Sequence, residues 1–150
     1  MKRFVFRLER LLQLRESAER DQARILADAL REEEAARGRL RVSQARLAEA
    51  ETQYRTTPRD LSQAGTLQNL ELTIQALARE AGGLSEVHDQ SIQQVEQERH
   101  QFEQARMARR VIERLREHRR DAWGENVSRL EQSESDDVAL ERVRRTQEER

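Results

Sequence analysis

Residues 56–66, Thr-Thr-Pro-Arg-Asp-Leu-Ser-Gln-Ala-Gly-Thr, decide the fold. They hold the only proline of the chain, Pro58, and a cluster of threonine, serine and glycine matched nowhere else in the sequence. Proline lacks an amide hydrogen and pushes the residue before it out of the helical region. A helix arriving from the N-terminal side must therefore stop, and the connection is placed at about residues 56–66. The fold then depends on the periodicity of the two flanks.

On the N-terminal flank, alternate steps of four and three from Phe4 pass through Leu8, Leu11, Arg15, Ala18, Gln22, Ile25, Ala29, Glu32 and Ala36. Seven of these ten are apolar, in a chain that is 35% hydrophobic, so the stripe is not accidental. After Ala36 the step is four again, to Leu40, and then Ser43, Leu47, Ala50 and Tyr54 follow. Two consecutive fours form a stutter, which locally unwinds a coiled coil. The expectation is one helix over about residues 4–55. On the other flank the same stepping from Leu70 passes Ile74, Leu77, Ala81, Leu84, His88, Ser91, Val95, Glu98, Phe102, Ala105, Arg109 and Ile112. Leu115, Ala122 and Trp123 continue it after a small phase shift. This predicts a second helix over about residues 67–130. At 1.5 Å per residue the two would be roughly 75 and 95 Å long.

Two such helices joined by so short a link run antiparallel with their seams facing. The expected fold is all-α, an antiparallel coiled coil of two long helices forming a single domain over residues 1–150. Residues 131–150 read as a polar tail, in which Ser135 can cap a short last helix holding Val138, Ala139 and Val143. Composition agrees. Charged residues make up 38% of the chain, against about 25% in ordinary globular domains, and a thin rod needs only one apolar seam. Acid-first pairs at i,i+4, namely Glu16–Arg20, Glu33–Arg37 and Glu51–Arg55, support the outer face of the first helix. Gly82-Gly83 interrupts the second, where a kink, local fraying or the close approach of a partner is expected.

Several functions are excluded on chemistry. The formal charge of −1, with both signs interleaved, argues against a nucleic-acid binder. There is no cysteine, hence no disulfide and no thiolate-ligated metal. Charges interrupt every apolar run, so neither a signal-peptide core nor a membrane span is expected. The reading is a soluble protein of a reducing compartment. No glycine-rich phosphate loop occurs, and His88, His100 and His118 are not spaced as metal ligands. Catalysis needs a water-excluding pocket, which two helices do not readily enclose, so neither an enzyme nor a cofactor is expected. Residues 109–120 carry six arginines against two glutamates. This is either a solvated helix face or a contact for an acidic protein surface.

The opening Phe4-x-Phe6-x-Leu8-x-x-Leu11-Leu12-x-Leu14-Arg15-Glu16 resembles that of the flagellar export protein FliJ family. Leu115-Arg116-Glu117-His118-Arg119-Arg120 is similar to that family's charged stretch late in its second helix. Asp136-Asp137 followed by Val138 resembles its acidic C-terminal signature. The resemblance implies a cytoplasmic component of a bacterial type III export apparatus, peripheral at the inner face of the cell membrane through protein partners. Those partners would be the export ATPase ring, the cytoplasmic domain of the membrane export gate, and the escort chaperones of late export substrates. By the family's spacing, the gate-binding residues would be Leu47, Tyr54, Leu77, Ala81, Leu84 and His88. Those for the ATPase would be Phe4, Phe6, Leu8, Leu11, Leu12 and Arg15. Three other readings compete: the stalk protein of a virulence type III secretion system, a purely structural homodimeric coiled coil, and a nucleic-acid-associated helical protein using the arginines of residues 109–120, whose binding would weaken steeply with salt.

Overall fold

The computed structural model describes residues 3–148, with side chains other than those of residues 142, 143 and 145–148. Two α-helices make up nearly all of it: α1 (Glu9–Thr56) and α2 (Ala64–Glu148), joined through a single 3-10 turn at Leu61–Gln63. They pack as an antiparallel coiled coil. Backbone contacts group the chain into two compact units, Glu19–Gln104 and Met1–Ala18 with Ala105–Arg150.

The link between the helices is shorter than the composition of residues 56–66 implies. At the end of α1 the hydroxyls of Thr56 and Thr57 donate to the carbonyls of Thr52 and Gln53, at 3.0 and 2.7 Å. Pro58 then prevents continuation. Asp60 restarts the helix. Its backbone is extended (φ −109°, ψ 167°), and its Oδ1 accepts from the Gln63 amide at 3.0 Å and from the Ser62 hydroxyl at 2.6 Å. This N-cap pairs an otherwise orphaned amide, and so α2 begins at Ala64, not at 67.

In the Glu19–Gln104 unit the cross-seam hydrogen bonds give the direction. Gln22 Nε2 donates to Glu98 Oε2 at 2.7 Å, and His88 Nε2 lies 2.9 Å from Glu33 Oε1. Moving toward the C-terminus of α1 thus means moving toward the N-terminus of α2. Every seam position expected on α2 is buried or half-buried here. On α1 the expected phase is corrected. Ile25 and Glu32 are exposed, while Leu26 is half-buried and Glu33 buried. The covered line runs Gln22, Leu26, Ala29, Glu33, Ala36, Leu40, Ser43, Leu47, Ala50 and Tyr54, in unbroken alternation of four and three. No stutter occurs at Ala36–Leu40. Every seventh residue of this line is small and buried: Ala29, Ala36, Ser43 and Ala50. Small residues let two helices approach closely, against the larger side chains of the partner. The buried core is accordingly made more of methyl groups than of leucines.

In the other unit Leu12 is buried, at 2% exposure, while Arg15 and Ala18 face solvent against expectation. Residues 3–8 are not helical, so α1 starts at Glu9 and not at Phe4. The Glu9 amide donates to the Phe6 carbonyl at 3.2 Å, closing the entry turn. At the far end, α2 does not stop near residue 130. Ser135 Oγ donates back to the Glu131 carbonyl at 2.9 Å, as a residue inside a helix does. It caps no separate helix. Gly82-Gly83 also leaves α2 unbroken, with no glycine at positive φ.

Candidate partner-binding surfaces

The six gate-binding candidates lie in the Glu19–Gln104 unit. All six fall on the covered lines of the two helices: Ala81 is buried, and Leu47, Tyr54, Leu77, Leu84 and His88 are half-buried. Two of them also line open grooves. Leu84 borders one of about 350 Å³ with Gly38, Val42, Arg46 and Glu80. Tyr54 borders another of about 360 Å³ with Glu51, Glu71 and Ile74. The Arg59 guanidinium sits 6.0 Å from the centroid of the Tyr54 ring, within reach of its electron-rich face. The set is therefore divided between residues a partner can touch and residues that hold α1 against α2.

His88 belongs to the second kind. A proton on Nε2 lets the ring donate to Glu33 Oε1. Arg37 holds the same carboxylate from one turn away, with Nη2 at 2.8 Å from both oxygens and Nε at 3.2 Å from Oε1. The Arg37 guanidinium, and after it the His88 ring, pull the Glu33 carboxyl below its ordinary 4.5 despite partial desolvation. In return Glu33 raises the pKa of Arg37. Ser91 donates to the His88 carbonyl at 2.7 Å. Ser43 differs: its hydroxyl is buried and has no hydrogen-bond partner among the described residues.

The ATPase-binding candidates lie in the other unit. Phe4 is half-buried, its ring centroid 6.0 Å from that of Trp123 and its plane tilted by 53°, an edge-to-face type of contact. Phe6, also half-buried, borders two grooves of about 450 and 310 Å³. Glu9 and Arg116 meet at 3.5 Å beside the larger, and Arg119 and Leu8 border the smaller. Leu8, at 37% exposure, Leu11 and Arg15 are at least partly accessible, whereas Leu12 is packed inside. Phe4 thus packs on the end of the helix pair, while Phe6 and Leu8 remain within reach of a partner.

Sequence reasoning missed three of these features. The sequence pairs Glu33 only with Arg37, although a seam histidine calls for an acceptor on the facing helix. Asp60, placed just before Leu-Ser-Gln, carries the ordinary signature of an N-cap. The heptad repeat of small residues at 29, 36, 43 and 50 marks the close-packed line of α1. The acid-first pair Glu51–Arg55 takes another form: Arg55 donates from Nε to the Glu51 backbone carbonyl, at 3.4 Å.

The model of the family described as Flagellar FliJ protein matches residues 4–148, almost the whole chain and both helices. The chain belongs to the FliJ family. It is thereby a component of the flagellar type III export apparatus, in a family of non-enzymatic proteins. No curated protein and no solved structure matches it. Among the described residues of this FliJ-family chain, no helix is long and apolar enough to cross a membrane, and no group of three or more His, Asp or Glu side chains could hold a metal ion.

Proposed function

We propose that this chain is a stalk-like coiled coil that binds the export ATPase ring, the cytoplasmic domain of the export gate, and escort chaperones, and so promotes export of flagellar proteins. It would act in the cytoplasm, held at the inner face of the membrane by those partners. The observation that carries this reading is the family match across residues 4–148. The separation of surfaces supports it. The grooves beside Phe6 and Leu8 belong to one compact unit, and those beside Tyr54 and Leu84 to the other. Two partners can therefore be engaged without competing for one groove. No chemistry is asked of the chain. Differential contacts with the subunits of a ring would be enough to bias them.

The test is a binding assay of the full chain against the ATPase and the gate's cytoplasmic domain. Tyr54→Ala with Leu84→Ala alters the accessible members of the gate set, and Phe6→Ala with Leu8→Ala those of the ATPase set. Selective loss of one partner by each pair, with helicity retained by circular dichroism, is the expected result. A folded wild-type chain that binds neither partner would overturn the reading.

A further inference from the structure

Between residues 106 and 125, α2 has two unlike sides. Ile112, Leu115 and Trp123 make the half-buried one, with Trp123 against Phe4. On the other side lie Arg106, Arg110, Arg114, Glu117, Asp121 and Glu125, all exposed. With about 3.6 residues per turn, these six fall within an arc of about 100°, so they share one face. No ion pair or hydrogen bond among the described residues reaches Arg106, Arg110, Arg114, Glu117 or Asp121, and Glu125 meets only Arg129, at 3.8 Å. Beside them Met107 and Val111 are 69% and 64% exposed.

Within one chain this order of charges is unfavourable. Arg106–Arg110, Arg110–Arg114, Glu117–Asp121 and Asp121–Glu125 are like-charged pairs at i,i+4, which destabilise a helix. Elsewhere the chain sets acid before base at this spacing, as in the ion pair Glu33–Arg37. A block of three arginines followed by a block of three acids gains only from a facing surface that carries the opposite order. The chain itself supplies one. From Arg106 to Glu125 the steps are four, four, three, four and four, which read the same in both directions, while the sign of the charge reverses about the centre. A reversed copy of this helix therefore offers an acid at the place of each arginine.

We propose that this face of α2 docks on the same face of a second copy of the chain, antiparallel and about a two-fold axis level with Leu115 and Arg116. Arg106 then lies opposite Glu125, Arg110 opposite Asp121 and Arg114 opposite Glu117, and each pair is made twice, as a two-fold contact requires. No like charges oppose one another at this register anywhere from residue 106 to 125. Met107 lies opposite Gly124. Nothing in its own chain requires that glycine, since a Cβ there would meet nothing within 4 Å, and a bare backbone leaves room for the methionine side chain. The half-buried side of α2 points away from the contact, so Phe4 and its neighbours do not obstruct it. An isolated surface ion pair contributes little, but an ordered array on one face fixes the register and penalises every other. The acidic surface sought for the arginines of residues 109–120 is thus the partner copy's residues 117–125. The inference is independent of the export reading and is tested on the purified chain alone.

The experiment is analytical ultracentrifugation of the full chain over a wide concentration range, at low and high salt, with helicity followed by circular dichroism. One variant carries Arg106→Glu, Arg110→Glu and Arg114→Glu, which makes the whole face acidic. The other carries Glu117→Arg, Asp121→Arg and Glu125→Arg, which makes it basic. The wild type is expected to dimerise at low salt and to dissociate as salt rises. Each variant alone is expected to associate roughly tenfold or more weakly. An equimolar mixture of the two should recover the dimer mass, because every contact of the mixed pair is attractive. A single chain carrying all six changes restores the pattern with its signs exchanged and should also dimerise, which keeps the test valid if either triple variant loses helicity. A wild type that stays monomeric at low salt, variants that dimerise unchanged, or failure of both the mixture and the six-fold variant to associate would overturn the proposal.

Discussion

His88 of α2 and Glu33 of α1 meet across the seam at 2.9 Å, with their side chains 18% and 10% exposed. A carboxylate so placed, between apolar layers, is tolerable only because three donor groups reach it: the His88 ring and two nitrogens of Arg37. Removing one member leaves the others partly desolvated, whereas replacing both facing partners by apolar side chains leaves nothing unpaired. Glu33→Ala and His88→Ala should each lower the thermal midpoint. The double change Glu33→Leu with His88→Leu should recover it or exceed it. A double-mutant cycle followed by circular dichroism would check this, and strict additivity of the single changes would contradict a direct contact.

The same carboxylate gives a pH dependence of known sign. Its pKa is held below the ordinary 4.5 by Arg37 first and His88 second. A group with a lowered folded-state pKa adds stability that is fully present above the unfolded value and is lost as pH falls through the folded one. The contribution of Glu33 is therefore complete at neutral pH, begins to be lost as pH falls below about 4.5, and is gone only below the lowered folded-state value. Glu33→Gln should flatten the dependence of the unfolding midpoint on pH in that acid range, relative to wild type. Parallel acid profiles for the two proteins would count against the arrangement.

Ser43 occupies the line otherwise made of Ala29, Ala36 and Ala50, and its hydroxyl is buried without a partner. An unsatisfied buried polar group carries a penalty of about 1–3 kcal/mol, and alanine already fits this line. Ser43→Ala should raise stability by about 1 kcal/mol. Ser43→Leu should lower it by about 1–3 kcal/mol, because a larger side chain forces apart helices that approach over small ones. Denaturant titration of both variants distinguishes close packing from a loose seam, which would accept leucine without loss.

Much of this architecture was legible in the sequence, and the failures have physical causes. Pro58 and the heptad steps give the helix pair and its direction, and on α2 the expected seam from Leu70 to Phe102 is covered at every position within the Glu19–Gln104 unit. On α1 adjacent apolar residues compete for one place: Leu11 beside Leu12, and Ile25 beside Leu26. Hydrophobicity alone cannot choose between such neighbours. What chooses is the opposite helix, since the phase that buries Leu26 also brings Glu33 to His88. The start of α2 was signalled by Asp60, but its extension past residue 130 was not, because no apolar stripe against α1 accompanies it. For the proposed gate-binding residues, spacing marks a helix face without separating the seam-facing Ala81 and His88 from Tyr54 and Leu84, which line open grooves.

Asp60 caps the 3-10 turn Leu61–Gln63 that leads into α2, and its contribution is separable from the seam. Its carboxylate accepts from both the Gln63 amide and the Ser62 hydroxyl. Asp60→Ala should cost about 1 kcal/mol, while Asp60→Asn, which keeps an acceptor oxygen, should cost much less. Hydrogen exchange of the amides at residues 63–66 should rise in the alanine variant and stay near wild type in the asparagine one. Equal effects of the two substitutions would mean that the cap bond does not hold this turn.

Gly82-Gly83 sits in an uninterrupted stretch of α2, where glycine is about 1 kcal/mol less favourable than alanine at each position. Neither residue adopts a positive φ, and a Cβ at either one would meet nothing within 4 Å. Nothing inside the chain requires glycine there. Gly82→Ala with Gly83→Ala should therefore stabilise the fold by about 1–2 kcal/mol in total, measured by denaturant titration. Both glycines are exposed and adjoin Leu84, so their use points outward. If the export gate approaches this backbone closely, the stabilised variant should bind the gate's cytoplasmic domain more weakly than wild type and leave ATPase binding unchanged. Equal gate binding by the stabilised variant would mean that no partner needs a bare backbone at this point, and would move the gate contact toward the Tyr54 groove.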